Sequence, residues 1–220
     1  MFKMSLNKNE LIRYVAKQVS FHFPDTEVAV DRLAPAVSRA LQRLEYCFSK
    51  INIKYFFDGT SVLFNHLNTD QYAAFLYYLS NTIWQEEKDS ALAAKIYYLN
   101  KCLNCIDAFY EVTLPDVFLL VHPVGTVLGR GEYKDYFVAY QRVTVGGNKD
   151  LEYPRLGKGV AMYGGSALIG KCEIGDNCLI SFGTMVMETA IPPGMVVFGK
   201  YPDIVYKKTR KSVIERYFLI

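Results

Sequence analysis

Long uninterrupted apolar runs are absent from this 220-residue sequence. No stretch approaches the roughly 18 apolar residues that a membrane-spanning helix needs. The first residues, MFKMSLNKNELIRY, also lack the apolar core of a secretion signal, because charged residues recur through them. The sequence therefore predicts a protein that has no membrane span and is located in the cytoplasm.

The net charge and the cysteines also give no indication of a charged partner, a disulfide or a metal site. The formal net charge of +3 is too small to indicate a nucleic acid or an anionic membrane surface as a partner. The five cysteines are an odd number in a chain with no expected secretion signal, which favours reduced thiols. Cys102 and Cys105 have a C-x-x-C spacing, but no second pair and no histidine follows nearby, so no metal site is predicted.

The first part of the chain, residues 1–104, is predicted to be an α-helical domain. Apolar positions recur at helical spacing over about 7–18 and again over about 25–51. Pro35 is expected to kink the second of these helices or to lie near its start. A last helix is expected over about 90–104, after Asp89 and Ser90.

A further helix start is marked by the sequence Asn-Thr-Asp-Gln at residues 68–71. Asn68 and Gln71 have the spacing of a capping box, in which an N-terminal side chain and one three residues later satisfy each other's backbone N–H groups. The apolar stretch YAAFLYYLSNTIW begins immediately afterwards. We therefore expect a helix to begin at this point.

From residue 156 the sequence changes to a period of six, with aliphatic residues or methionine at every sixth position and glycines nearby. These positions are Leu156, Met162, Leu168, Ile174, Ile180 and Val186. The period is typical of a parallel β-helix, in which three hexapeptides make one triangular coil and residue i stacks on i+18. The fold class is therefore α+β, with an N-terminal α-helical domain followed by a C-terminal parallel β-helix.

The β-helix is expected to occupy residues 105–206. Earlier fragments that fit the same construction with a slip in phase are Leu114, Leu120, 127–129 and 143–147. The polar segment 147–153 breaks the period and predicts a loop ejected from one coil, where functional residues often lie. Residues 207–220 are predicted to form a basic C-terminal tail.

Residues 104–208 resemble the catalytic region of serine acetyltransferases. Asp107, in an Ile-Asp pair, matches that family's Ile-Asp motif, and His122 stands at the position of its catalytic histidine. Further motifs follow in the family's order, as GTVLG at 125–129, YQRVTVGG at 140–147, PRLG at 154–157 and FGKYPDIV at 198–205. The resemblance implies a left-handed coil. It also implies a homotrimer with active sites between adjacent prisms, and a dimer of trimers as a further assembly.

The activity implied by this resemblance is acetyl-CoA-dependent O-acetyl transfer, with acetyl-CoA as a co-substrate and no permanently bound cofactor. His122 would act as the general base, and Asp107, about one coil earlier in the chain, would orient the imidazole. Backbone N–H groups beside paired glycines would stabilise the oxyanion. The predicted residues for coenzyme A are Gly146, Gly147, Gly164, Gly165, Ser166, Ser181, Gly183, Lys200 and Lys207.

Two positions depart from the family pattern on the acceptor side. Val121 stands where the family usually has aspartate before its catalytic histidine, and Tyr153 stands where it usually has a second histidine. Neither residue supplies the charge that helps to bind serine, so a sugar, such as a surface-polysaccharide precursor, is the expected acceptor. Val121, Tyr153 and Gln141 are the predicted acceptor-binding residues. The alternatives are a true serine O-acetyltransferase of cysteine synthesis and a catalytically silent β-helix scaffold.

Overall fold

The computed structural model of the protein describes residues 1–25 and 27–220. A helical N-terminal region is followed by a parallel β-solenoid of about five turns, which confirms the predicted fold class. The helices of the first region are α1 (Lys8–His22), α2 (Val30–Ser49), α3 (Thr69–Thr82) and α4 (Ser90–Asn104), with a π-helical turn at Ile83–Glu87. In this described part of the chain, no helix has the length and apolar character needed to cross a membrane.

Side-chain caps mark the starts of α1, α3 and α4. The Asn7 side chain accepts from the backbone N–H of Glu10 at 3.0 Å, and the Glu10 carboxylate accepts from the N–H of Asn7 at 2.8 Å, so α1 has a complete capping box. Asp89 caps α4 by accepting from the N–H of Leu92 at 3.0 Å. Pro35 lies near the start of α2, as predicted, although this helix begins five residues later than its apolar pattern suggests.

A small parallel sheet in the helical region was not predicted. It pairs β1 (Phe2–Met4) with β2 (Val62–Phe64). Three-residue strands are too short to show the alternation of apolar and polar residues that marks a strand in a sequence. The sheet closes over the apolar faces of the helices, and Val62 and Phe64 are buried there.

The strands of the β-solenoid form three faces. The first face consists of β4 (Phe118–Val121), β7 (Phe137–Tyr140), β10 (Ala161–Met162), β13 (Leu179–Ile180) and β16 (Met195–Lys200). The second consists of β3 (Asp107–Ala108), β5 (Val127–Leu128), β8 (Thr144–Gly146), β11 (Ala167–Ile169) and β14 (Met185–Met187). The third consists of β6 (Glu132–Tyr133), β9 (Arg155–Leu156), β12 (Glu173–Ile174) and β15 (Ala190–Ile191). The left hand of the coil stays a prediction from the family resemblance.

The apolar period forms the core of the prism. All six of its positions are at most 4% exposed. Met162 pairs with Ile180 and Leu168 pairs with Val186, so residues 18 apart stack on successive coils, as predicted. Each buried aliphatic side chain of this kind contributes roughly 1.5–3 kcal/mol relative to an exposed one.

The polar segment 147–153 is a loop between β8 and β9, as the broken period predicts. Val145 pairs with Leu168, 23 positions later, because the loop adds five residues to that coil. The Asn148 side chain closes the loop by accepting from the backbone N–H of Glu152 at 3.0 Å and by donating to Glu188 at 2.9 Å. The loop is therefore tied to the next part of the prism.

The C-terminal segment, residues 207–220, differs from the predicted tail. Strand β17 (Asp203–Lys208) pairs antiparallel with β16, and helix α5 (Val213–Tyr217) follows it. Tyr217 and Phe218 are buried, and Phe218 forms a β-bridge with Ile51 of the helical region. The sequence did not predict this packing because lysines and arginines outnumber the few apolar residues of the segment that are buried, which are Val213, Tyr217 and Phe218.

Helix α3 joins the two parts of the chain. The buried Tyr77 hydroxyl donates to the carbonyl of Val112 at 2.8 Å and accepts from the N–H of Leu114 at 2.7 Å. Asn81 donates to the carbonyl of Tyr110 at 2.9 Å. These bonds satisfy buried polar groups, whose loss would be costly. They fix the C-terminal half of α3 against the start of the β-solenoid.

Candidate active site

One edge of the prism carries half of the predicted site residues. It is formed where the chain turns from the first face to the second, at residues 122–126, 141–143, 163–166 and 181–184, and we call it the His122 edge. Backbone hydrogen bonds stack these turns, from Gly165 to Gln141 at 2.9 Å and from Gly183 to Gly164 at 3.0 Å. The predicted residues along it are His122, Gln141, Gly164, Gly165, Ser166, Ser181 and Gly183.

His122 is in an unusual backbone conformation at the first of these turns. It directly follows β4 and has a φ of 47°, in the left-handed region that is uncommon for residues other than glycine. Its side chain is 79% exposed. The turn thus presents the imidazole at the surface of the prism, where a second molecule can reach it.

The Asp70 side chain contacts His122. One oxygen of its carboxylate accepts from the backbone N–H of His122 at 3.1 Å and lies 3.6 Å from the imidazole Nδ1. Asp70 is in the first turn of α3, after the cap Asn68, where the partial positive charge of a helix N-terminus stabilises a carboxylate. Sequence analysis missed this residue, because the capping pattern accounts for it locally and nothing in the sequence connects it with His122.

The predicted partner Asp107 has other contacts. Its carboxylate accepts from the Tyr97 hydroxyl at 2.7 Å and from the Lys101 Nζ at 2.6 Å. The hydrogen bond to this carboxylate raises the pKa of Lys101. Asp107 belongs to β3 on the second face, and the structure does not bring its side chain into contact with His122.

A pocket of about 560 Å³ lies beside His122, between the first coil and the helical region. Asp70, His122 and the predicted acceptor-binding residue Val121 all line it. The other residues that line it are Ile53, Tyr55, Phe56, Asn65, Leu67, Asn68, Thr69, Leu119 and Leu120. The pocket is therefore a largely apolar cavity with a candidate general base in its wall.

Gly146, Gly147 and Tyr153 lie at a different edge of the prism, between the second and third faces. The Tyr153 ring packs against Gly147, where an added Cβ would lie 2.7 Å from a ring carbon. Tyr153 lines a separate pocket of about 290 Å³ with Glu132 and others. Within one chain these residues do not meet His122, so a shared site requires the predicted neighbouring prism.

The residues predicted to bind coenzyme A differ in how accessible they are. The Ser166 side chain is fully buried, and its hydroxyl has no hydrogen-bond partner among the described residues, so it points away from any external ligand. Gly183 has open space where a Cβ would be, and its backbone is accessible on the His122 edge. Lys200 is exposed and pairs with Met185, just beyond that turn. Lys207 lies on β17, over the ring of a phenylalanine.

A cluster of hydroxyl groups closes the C-terminal segment onto the same edge. The Tyr217 hydroxyl lies 3.0 Å from the hydroxyls of Tyr140 and Tyr163. The Arg216 guanidinium donates to Tyr163 at 2.7 Å. Burial raises the pKa of Tyr217, so its hydroxyl stays protonated at neutral pH. Arg216 therefore adds an exposed cation near the third coil that was not predicted.

The cysteines do not form a metal centre in this structure. Cys47, Cys172 and Cys178 are buried, Cys102 and Cys105 are exposed, and all of them are free thiols. Across residues 1–25 and 27–220, no group of three histidine, cysteine, aspartate or glutamate side chains is arranged to hold a metal ion.

The chain has recognisable relatives, although no family model matches it. It is 26% identical over 114 residues to a serine acetyltransferase of Synechococcus elongatus, covering 50% of this chain and 46% of the relative. It is also 26% identical over 141 residues to a serine acetyltransferase of Buchnera aphidicola, covering 62% of this chain and 53% of the relative. The chain thus spans about half the length of the curated relatives it matches.

Solved structures extend the likeness to the whole fold. The serine acetyltransferase of Brucella abortus superposes with a TM-score of 0.70 at 18% identity, covering 92% of this chain and 84% of that one. The enzyme of Neisseria gonorrhoeae gives a TM-score of 0.71 at 17% identity, covering 93% and 80%. A complex of the Brucella abortus enzyme with coenzyme A gives 0.70 at 17% identity, covering 94% and 84%. The chain is therefore similar in sequence to serine acetyltransferases, and it shares their fold.

Proposed function

We propose that this protein is an acetyl-CoA-dependent O-acetyltransferase that acts on a small hydroxylated acceptor. The observation that carries the proposal is the position of His122, which lies in one pocket with Asp70 and at the start of an edge of glycine-rich turns. A proton acceptor, a cavity for an acceptor molecule and a groove for a donor are thus adjacent. The serine acetyltransferase relatives support the same activity.

The reaction is a direct transfer without a covalent enzyme intermediate. His122 takes the proton of the acceptor hydroxyl as that oxygen attacks the thioester carbonyl of acetyl-CoA. The C–S bond then breaks, the acetyl group stays on the acceptor oxygen, and the imidazolium returns the proton to the leaving thiolate. Backbone N–H groups of the neighbouring turns stabilise the oxyanion formed on the way.

Asp70 is proposed as the residue that orients His122. A carboxylate beside Nδ1 favours the tautomer that leaves Nε2 free to accept a proton, and it stabilises the imidazolium formed in the reaction. The separation of 3.6 Å is long for a hydrogen bond, and such contacts often tighten when substrate binds. Asp107, the residue expected for this role, instead anchors α4 to the first coil through Tyr97 and Lys101.

Acetyl-CoA is proposed to lie along the His122 edge as a co-substrate. The turns at Gly164, Gly165, Ser181 and Gly183 give its pantetheine arm access to backbone groups, and Lys200 supplies positive charge for its phosphates. In a homotrimer, the neighbouring prism would add its own surface residues to the site, namely Gly146, Gly147, Tyr153 and Lys207. The solved complex of the Brucella abortus relative with coenzyme A supports this choice of donor.

Two acceptors are compatible with this activity. The relatives are serine acetyltransferases, which supports L-serine as the acceptor at least as strongly as a sugar. The sequence departures at Val121 and Tyr153 favour a sugar, such as a surface-polysaccharide precursor, because both positions lack the charges that help to bind serine. Each acceptor offers a hydroxyl group that His122 can deprotonate.

The activity is tested by measuring free thiol release from acetyl-CoA with L-serine and with a panel of amino and deoxy sugars. His122→Ala is expected to lower kcat/KM by about a hundredfold or more. His22→Ala, which changes an exposed histidine at the end of α1, is the matched control and should keep full activity. Failure of the protein to bind acetyl-CoA would contradict the proposal and favour a silent scaffold.

A further inference from the structure

The pocket beside His122 has an unusual balance of charge. Asp70 and His122 are the charged or chargeable groups that line it at neutral pH, and no lysine or arginine of the described residues does so. Its volume of about 560 Å³ is within the range of pockets that bind drug-sized ligands. A free amino acid fills only a small part of such a space.

The apolar residues of this pocket include two that the fold leaves exposed. Tyr55 is 62% exposed and Leu67 is 72% exposed, although both are large and line the pocket. Large apolar side chains grouped at a concave surface indicate a binding site more often than isolated ones do. Leu119 and Val121 continue the apolar wall on the outer side of β4.

A carboxylate is a poor fit for this pocket. It would be withdrawn from water into a largely apolar cavity, which is costly without a paired cation. The Asp70 carboxylate would repel it further, since like charges at close range disfavour ionisation. The part of the pocket that this chain forms therefore offers a carboxylate no lysine or arginine among the described residues, which disfavours an acceptor whose carboxylate lies there.

We propose that the acceptor is an uncharged hydroxyl compound with an apolar substituent, of the class of glycosides with aryl or alkyl aglycones. The substituent lies on Tyr55 and Leu67, and the hydroxyl is directed to His122. This inference rests on the proposed acetyltransferase function and names its acceptor class. It assigns Tyr55 and Leu67 a role in specificity that is separate from the chemistry of His122.

The test compares matched pairs of methyl and 4-nitrophenyl glycosides of galactose, glucose and N-acetylglucosamine, with L-serine as a further acceptor. Binding without acetyl-CoA is measured by equilibrium dialysis of the nitrophenyl compounds and by competition with their methyl partners. Turnover is measured as thiol release. In at least one pair, the nitrophenyl member should bind tenfold more tightly and have a tenfold higher kcat/KM.

Variants assign this preference to the pocket. Leu67→Ser and Tyr55→Ser should each lower the nitrophenyl-to-methyl ratio at least threefold, because each removes apolar contact area. Phe21→Ser is the matched control, since Phe21 is 81% exposed on α1 and does not line the pocket. Its ratio should be unchanged, and circular dichroism should show that all three variants fold.

The outcomes separate this inference from the proposed function. Equal affinities within every pair, or ratios that the Leu67 and Tyr55 variants do not change, would overturn it. Highest kcat/KM for L-serine would also overturn it and leave acetyl transfer intact. Selective binding of nitrophenyl glycosides to a protein that consumes no acetyl-CoA would overturn the proposed function while supporting the ligand class of the pocket.

Discussion

His122 and Asp70 are joined by two contacts with one carboxylate oxygen. The backbone N–H of His122 donates to it at 3.1 Å, and the imidazole Nδ1 lies 3.6 Å from it. Since Asp70 is in the first turn of α3, the helical region holds the turn that presents the candidate base. The N-terminal region thus contributes a side chain to the candidate site and is not only an attachment to the β-solenoid.

This relationship predicts different effects for two aspartate substitutions. Asp70→Asn should lower kcat/KM by about tenfold to a hundredfold, because the amide no longer stabilises the imidazolium. Asp107→Asn should lower it less than about threefold, since Asp107 contacts Tyr97 and Lys101 instead. Steady-state kinetics with the best acceptor provide the measurement. A larger loss for Asp107→Asn would restore the dyad that the sequence predicts.

The C-terminal segment is predicted to contribute to stability. Phe218 is 2% exposed and packs against Tyr136 with ring centroids 5.1 Å apart. Phe218→Ala should lower the free energy of unfolding by about 3–5 kcal/mol, because it leaves a cavity between the two parts of the chain. Ile220→Ala, at a residue that is 94% exposed, is the control and should change it by less than about 0.5 kcal/mol. Urea titrations followed by circular dichroism measure both. Equal stabilities would show that the segment is only loosely attached.

Local periodicity explains why the β-solenoid was predictable. Each aliphatic position from Leu156 to Val186 specifies one short strand, and the stacking of residues 18 apart follows from the period alone. The turns of the His122 edge inherit the same order, so most of their glycines could be located from the sequence. The loop at 147–153 could be predicted for the same reason, because it interrupts the period.

Contacts between distant segments could not be predicted in this way. Asp70 and His122 are 52 positions apart, and the capping pattern around Asp70 already has a local explanation. The proximity of Asp107 to His122 in the sequence suggested a pair, but the strand pairing places Asp107 beside Val127 on another face. Docking of α5 depends likewise on a surface that exists only after the prism has formed.

Two glycines should differ in the reason they are needed. Gly175 has no room for a side chain, since an added Cβ would lie 2.5 Å from the backbone N of Pro193 on the next coil. Gly175→Ala should therefore cost about 3 kcal/mol of stability. Gly183 has open space but a φ of +68°, so Gly183→Ala should cost only about 1–2 kcal/mol. Thermal unfolding of both variants checks this order, and a reversed order would contradict the stacking of the coils.

Thiol reactivity gives a direct test of how the cysteines are distributed. Cys102 and Cys105 are exposed, whereas Cys47, Cys172 and Cys178 are buried. The folded protein should therefore react with about two equivalents of a disulfide reagent and the unfolded protein with about five. Raising the pH to 9 should not make Cys47 reactive, because burial raises its pKa to about 11 and its thiol also donates to the carbonyl of Phe118.

In the double variant Cys102→Ser and Cys105→Ser, the fast reaction should fall to nearly zero. The unfolding midpoint should not change, since both side chains are at the surface. Cys47→Ser should leave the fast reaction at about two equivalents and lower stability by about 1–3 kcal/mol, because it puts a hydroxyl among buried apolar groups between α2 and β4. Rapid reaction of a third thiol that Cys47→Ser abolishes would mean that α2 separates readily from the first coil. In that event the helical region could not hold Asp70 steadily against His122.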